Sequence, residues 1–306
     1  MGAKATRDSF GEALRDLGKD NPKIVVLDAD LSVSTKSVTF AKAFPERFFQ
    51  MGIAEANMIG TAAGMAFSGL IPFCCSFGCF LTGRYETIRV SVGYSKANVK
   101  LVGTHAGLGI GEDGYTQMGL EDMNIMRGLP GMIVLNPCDD KTTRAAVKFA
   151  SEHHGPVYLR LTRQKLPDIH SSENSFQVGK GIVIKQGEKL ALIGTGATVN
   201  EVLKASENLA DRNPWVIDFH TIKPVDSELL LNLSKQCSHI VTVEDHNVVG
   251  GLGTAVAERL AEFGFSGRLL RLGVQDTYGE SGLPDELFEK YGFSASQIVK
   301  RVKSWE

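Results

Sequence analysis

Between Arg47 and Arg84 a single residue carries a formal charge, Glu55. Burying a lone carboxylate among apolar and small residues is costly and normally raises its pKa, so such a group is either kept in water or put to use. The bland use is a helix N-terminus, where a carboxylate satisfies orphan N–H groups; the sharper one is proton chemistry in a site closed to water. A second candidate region is the loop THAGLGIGEDGYTQ at 104–117, where His105, Glu112 and Asp113 lie among glycines directly after the apolar run VKLVG. A histidine leaving a buried strand is well placed to meet a ligand, and the glycines permit close backbone approach. The loop is neither a P-loop nor a dinucleotide fingerprint, because its third glycine falls two positions late for the latter. Phe77 and Phe80 stand three apart beside small residues, as a core pair or a ring-stacking wall. Arg160 and Arg163 follow a further apolar run, where a guanidinium can hold an anion.

These residues need elements to position them. Short apolar runs at Lys23–Leu27, Ile71–Cys75, Val99–Val102, Met132–Leu135 and Val157–Leu161 alternate with helical periods such as Asp140–Glu152. That rhythm predicts a parallel sheet flanked by helices. Residues 54–68, AEANMIGTAAGMAFS, predict a helix whose small face allows close approach to another helix. The polar stretch DIHSSENSFQ at 168–177 interrupts the pattern, which restarts with Leu190–Ile193, Trp215–Asp218, Ile240–Val243 and Leu269–Leu272. The expectation is an α/β chain of two consecutive domains, residues 1–172 and 173–306, each a mainly parallel sheet flanked by helices. GTGATV at 194–199 then reads as a strand-to-helix turn, and Glu244-Asp245-His246 as a polar interface contact, because adjacent strand residues point to opposite faces.

Composition narrows the classes. The 306 residues are 43% hydrophobic and 22% charged, enough for two ordinary cores, and the net charge of −2 is interspersed rather than blocked. Neither nucleic acid nor a membrane surface is an expected partner. The uncharged run around Glu55 is rich in Gly, Ala and Ser and is broken by Pro72, which argues against a membrane span. Five cysteines, an odd number with Cys74 and Cys75 adjacent, argue against a disulfide framework or a structural metal site and for a reducing, cytoplasmic location.

In order and spacing, DADLSVS (28–34), MGIAEANM (51–58), PFCCSFGCF (72–80), THAGLGIGEDG (104–114), LTRQKLP (161–167) and VEDHNVVGGLG (243–253) resemble the carboxy-terminal half of transketolase, over nearly the whole chain. The family's diphosphate and Mg²⁺ motif, GDG followed further along by NN, is absent from these residues. The resemblance therefore implies a split transketolase subunit whose amino-terminal-half partner carries the Mg²⁺ ligands, in an α₂β₂ assembly that transfers a two-carbon ketol unit between sugar phosphates. It implies that Glu55 hydrogen-bonds the aminopyrimidine of thiamine diphosphate, that Phe77 and Phe80 wall its ring, and that Asp30 supports the cofactor site. Ser34 and Arg163 would meet the sugar phosphate, and His105 and Asp113 the substrate's oxygens. Gln117 stands where the family usually has a histidine, Gly83 where larger members have Tyr, and Ala54-Glu55-Ala56 replaces Arg-Glu-His; the first of these leaves the sugar open. Alternatives are a subunit of another thiamine enzyme, such as 1-deoxyxylulose 5-phosphate synthase or a 2-oxo-acid dehydrogenase, a non-catalytic homologue, and a free-standing nucleotide-binding module.

Overall fold

Strand Ile24–Asp28 is buried at every position, the signature of a strand covered on both faces of a parallel sheet. In the computed structural model, which describes residues 3–305, it belongs to a seven-stranded sheet. The order is Thr221–Lys223, Ile133–Leu135, Val157–Arg160, Lys100–Thr104, Ile71–Phe77, Ile24–Asp28 and Phe48–Gln50. All neighbours are parallel except the first pair. A second sheet runs Arg268–Val274, His239–Asn247, Leu190–Gly194, Trp215–Asp218 and Ile182–Lys185, with only the last strand antiparallel. Strands Ala3–Ala5 and Lys165–Pro167 form a small antiparallel pair. The fold is therefore α/β, with mainly parallel sheets flanked by helices.

One strand breaks the expected separation of the sheets. Thr221–Lys223, from the second half of the chain, pairs antiparallel with Ile133–Leu135 at the edge of the first sheet. Packing is shared as well: one buried cluster joins Val25, Leu27 and Met58 to Trp215, Ile217 and Leu230, and another joins Phe77, Leu108 and Ile110 to Leu192 and Val243.

Helix Asp140–Glu152 falls where its period places it, started by a capping box in which Asp139 and Thr142 satisfy each other's backbone N–H groups. Helix Glu55–Phe67 buries Met58, Ile59, Ala62 and Ala63. Its small face differs from expectation. A Cβ at Gly60 or Gly64 would meet nothing within 4 Å, so within this chain the close approach has no partner.

The register sets the site's floor. Phe77 lies beside Thr104, Gly103 beside Arg160, and Asp28 beside Cys75, so the carboxyl ends of the central strands and the loops that follow them are brought together.

Candidate functional site

Glu55 is the first residue of its helix and only 5% exposed, while Ala56 and Asn57 next to it are exposed. Its carboxylate caps nothing and has no hydrogen-bond partner among the described residues. Its oxygens are not sealed from solvent, and the helix N-terminus favours the anion by about 0.3–1 kcal/mol. The group sits at the rim of open space without a donor, which is the state of an acceptor that a ligand completes.

The aromatic pair is a wall. Phe77 and Phe80 stack with centroids 5.5 Å apart and planes within 9°, and Phe77 also stacks on His105 at 3.9 Å. His105 is 2% exposed and holds a left-handed φ of 57° at the end of the Lys100–Thr104 strand. For a non-glycine residue that conformation costs on the order of 1–3 kcal/mol, and it persists because the ring is fixed at both nitrogens. Arg7 Nη1 donates to Nε2 at 2.5 Å. The ring proton therefore sits on Nδ1, which donates to Thr104 Oγ1 at 2.8 Å, and that hydroxyl donates to the Ser76 carbonyl. Burial first, then the cations Arg7, Arg163 and Lys36, push the imidazole down to about 3, so His105 is neutral.

Arg7 is the residue that reading the sequence missed. A cation in the first turn of helix Thr6–Asp20 opposes the helix dipole, and that breach of a local rule was the available signal. Its guanidinium holds both His105 and the Ser34 carbonyl, the latter at 3.0 Å, and leaves Nε buried without a partner. Arg7 and Ser34 are thereby brought to His105. Burial lowers the pKa of Arg7 and Arg163 is near enough to add to it by charge repulsion, but the Arg163 guanidinium is held by Glu112 at 2.7 Å and Asp113 at 3.2 Å. Arg160, a possible anion holder in the sequence, is corrected: it is buried, donating to Asp122 at 2.9 Å and to the Gly119 and Asp245 carbonyls.

The glycine loop is held from the second sheet. Asp245 accepts from Leu108 N at 2.7 Å and Gly109 N at 3.2 Å, and a Cβ at Gly107, whose φ is 89°, would meet an Asp245 oxygen at 2.1 Å. Segment Leu108–Asp113 also packs on helix Pro284–Tyr291, so the second domain touches this loop. Asp113 is exposed and Gln117 half-buried. Asp30 is exposed with φ 63° and donates its N–H to Gln50 Oε1; the buried carboxylate of that motif is Asp28, which accepts from Leu31 N, Thr35 and Ser37. A cavity of about 1040 Å³ lies elsewhere, near the amino ends of strands Ile133–Leu135 and Val157–Arg160, between Tyr94, Leu129 and His154.

Residues 2–168 match the model of the transketolase pyrimidine-binding domain, and residues 179–298 that of the transketolase C-terminal domain. The chain belongs to the transketolase family. It is 46% identical over 304 residues to a Methanocaldococcus jannaschii protein whose name places it as a transketolase C-terminal section, covering 98% of this chain and 95% of that one. It is 40% identical to the 6-deoxy-6-sulfo-D-fructose transketolase subunit SqwH of a Clostridium species, over 96% and 92% of the two chains. A solved structure described as a split-gene transketolase in an inactive β4 tetramer superposes with a TM-score of 0.89 at 44% identity, over 99% and 98% of the chains. The transketolase family generally uses thiamine diphosphate.

Proposed function

We propose that this chain is one subunit of a split transketolase, supplying the pyrimidine-recognising half of a thiamine diphosphate site to an amino-terminal-half partner. The observation that carries the reading is Glu55, nearly buried, unpartnered and at the rim of open space. The residues present fit the ring end of the cofactor: a carboxylate acceptor and the stacked Phe77–Phe80 wall. They do not fit its metal. Among the described residues the one cluster of metal-ligating types is Cys138, His170 and Asp218, whose thiol is foreign to Mg²⁺. The Mg²⁺ ligands are assigned to the partner.

When bound, the cofactor supplies the carbanion chemistry of ketol transfer. Glu55 holds the proton shared with the aminopyrimidine. Neutral His105, its Nδ1 proton held by Thr104, accepts from a substrate hydroxyl at Nε2 after exchanging Arg7 for it, without contributing charge. Asp30 supports the cofactor site, and Ser34, Asp113 and Gln117 contact the sugar. Arg163 binds the distal anion after exchanging Glu112 and Asp113 for it. The relative acting on a sulfo-sugar supports an anion at that end without fixing which one. The exposed face carrying Ile53, Gly60, Gly64 and Phe67, with Val90 and Tyr94 beyond it, receives the partner in an α₂β₂ assembly. We place the subunit in the cytoplasm, on its unpaired cysteines; no helix among the described residues is long and apolar enough to cross a membrane.

The test is reconstitution. The purified chain is expected to be inactive, like the inactive β4 tetramer of its split-gene relative, and to cleave ketose phosphates once thiamine diphosphate, Mg²⁺ and an amino-terminal-half chain are added. Turnover by the single chain would refute the reading.

A further inference from the structure

Away from the candidate site, where the two domains and their connecting segment meet, three chemistry-bearing side chains converge. Cys138 follows strand Ile133–Leu135, His170 lies in the connecting segment, and Asp218 ends strand Trp215–Asp218. They are 1%, 9% and 0% exposed. Asp218 Oδ2 is 2.9 Å from His170 Nε2 and 3.3 Å from Cys138 Sγ, and the donor atoms of all three lie within 4.8 Å of one another. Two buried polar atoms of this region have no partner: Asp218 Oδ1 and, two residues further on, His220 Nε2. The chain thus leaves acceptor capacity unused in a place closed to water.

We propose that Cys138, His170 and Asp218 form a structural site for a soft divalent transition-metal ion of the Zn²⁺ class. One sulfur, one imidazole nitrogen and one carboxylate oxygen are a donor set Zn²⁺ takes readily, and thiolate selects against Mg²⁺ and Ca²⁺. Tetrahedral bonds of about 2.0–2.3 Å space the donors about 3.3–3.8 Å apart, so the observed contacts need to open by a few tenths of an ångström. Binding replaces the thiol proton with a bond to the ion and releases it to solvent, while the neutral imidazole of His170 carries its single proton on Nδ1 and offers Nε2 to the ion. The product, one thiolate and one carboxylate around a double positive charge, is neutral overall, which suits a buried site. The surroundings already hold the ligands: His170 N donates to Asp139 Oδ2 at 2.8 Å, and Cys138 N donates to Thr142 Oγ1 at 3.2 Å. Supports of this kind fix ligand orientation. The ion would tie the first domain, the connecting segment and the second domain to one point.

Cobalt(II) is the probe. The full chain, stripped by chelator and titrated with Co²⁺, is expected to develop a thiolate-to-cobalt charge-transfer band and tetrahedral ligand-field bands, saturating at one ion per chain and bleached by Zn²⁺. Cys138→Ser should abolish the charge-transfer band and weaken Zn²⁺ binding tenfold or more, and His170→Ala should weaken binding alike, whereas Cys79→Ser should change neither. Zn²⁺ should raise the melting temperature of the native chain. Since the native chain itself gives the spectrum, instability of a variant cannot hide the answer: no charge-transfer band in the native chain, or an undiminished one in a folded Cys138→Ser, overturns the site.

Discussion

Glu55 and His105 are two buried ionisable groups with opposite needs. Glu55 lacks a donor and is completed by a ligand; His105 has both nitrogens engaged and is complete alone. Glu55→Gln keeps shape and loses the ionisable carboxyl, so kcat of the reconstituted enzyme should fall roughly 10²-fold or more, the range of general acid–base contributions. Hydrogen–deuterium exchange at the cofactor's thiazolium C2 should slow in parallel, and unchanged exchange would remove Glu55 from that role. For His105 the folded value of about 3 lies below the ordinary 6.5. The unfolded chain therefore takes up a proton that the native one refuses, and stability drops as pH falls from 6.5 toward 3. The ring's NMR resonances should stay flat above pH 6; a midpoint near 6.5 would mean a solvated imidazole. Both residues were legible in the sequence, one from isolation in charge and the other from its place after a strand. Arg7 was not, because it acts on a residue far along the chain.

At the level of elements, the strands that were read correctly are those whose apolar runs need no partner to be recognised, such as Trp215–Asp218. The three-residue strands Phe48–Gln50, Thr221–Lys223 and Lys165–Pro167 carry too few residues for a period of two, and exist because of what they pair with. The same holds for the grip of Asp245 on the glycine loop. The sequence placed Asp245 at a polar interface but could not say whose N–H groups it would receive. Asp245→Ala strips two buried backbone donors of their acceptor, so the chain should lose about 2–4 kcal/mol in denaturant unfolding. Because the released loop carries Asp113, KM of the reconstituted enzyme should rise more than kcat falls. A loss of kcat at unchanged KM would show that the loop does not position substrate.

For the molecule as a whole, the helix face at Gly60 and Gly64 is where sequence and structure diverge most usefully. Small residues predicted close packing, and inside this chain they meet open space. A contact missing from one chain points to contact with another. Gly64→Leu adds bulk where no neighbour objects and helix propensity improves by up to about 1 kcal/mol, so the isolated subunit should be as stable as before or slightly more so. The same substitution should weaken association with the partner, measured by sedimentation of the mixture; unaltered assembly would place the interface elsewhere.

The strand Thr221–Lys223 bears on how the chain can be cut. A fragment ending in the polar stretch before residue 178 would contain the pyrimidine-binding match entire, yet would strip Ile133–Leu135 of its outer neighbour. Val134 and Leu135, both fully buried, would then border a row of unpaired peptide groups, a template for another copy to add itself. Dissection at the boundary between the two matched regions would thus convert a protected sheet margin into a site of self-association, and a workable excision would have to carry residues 221–223 along with it.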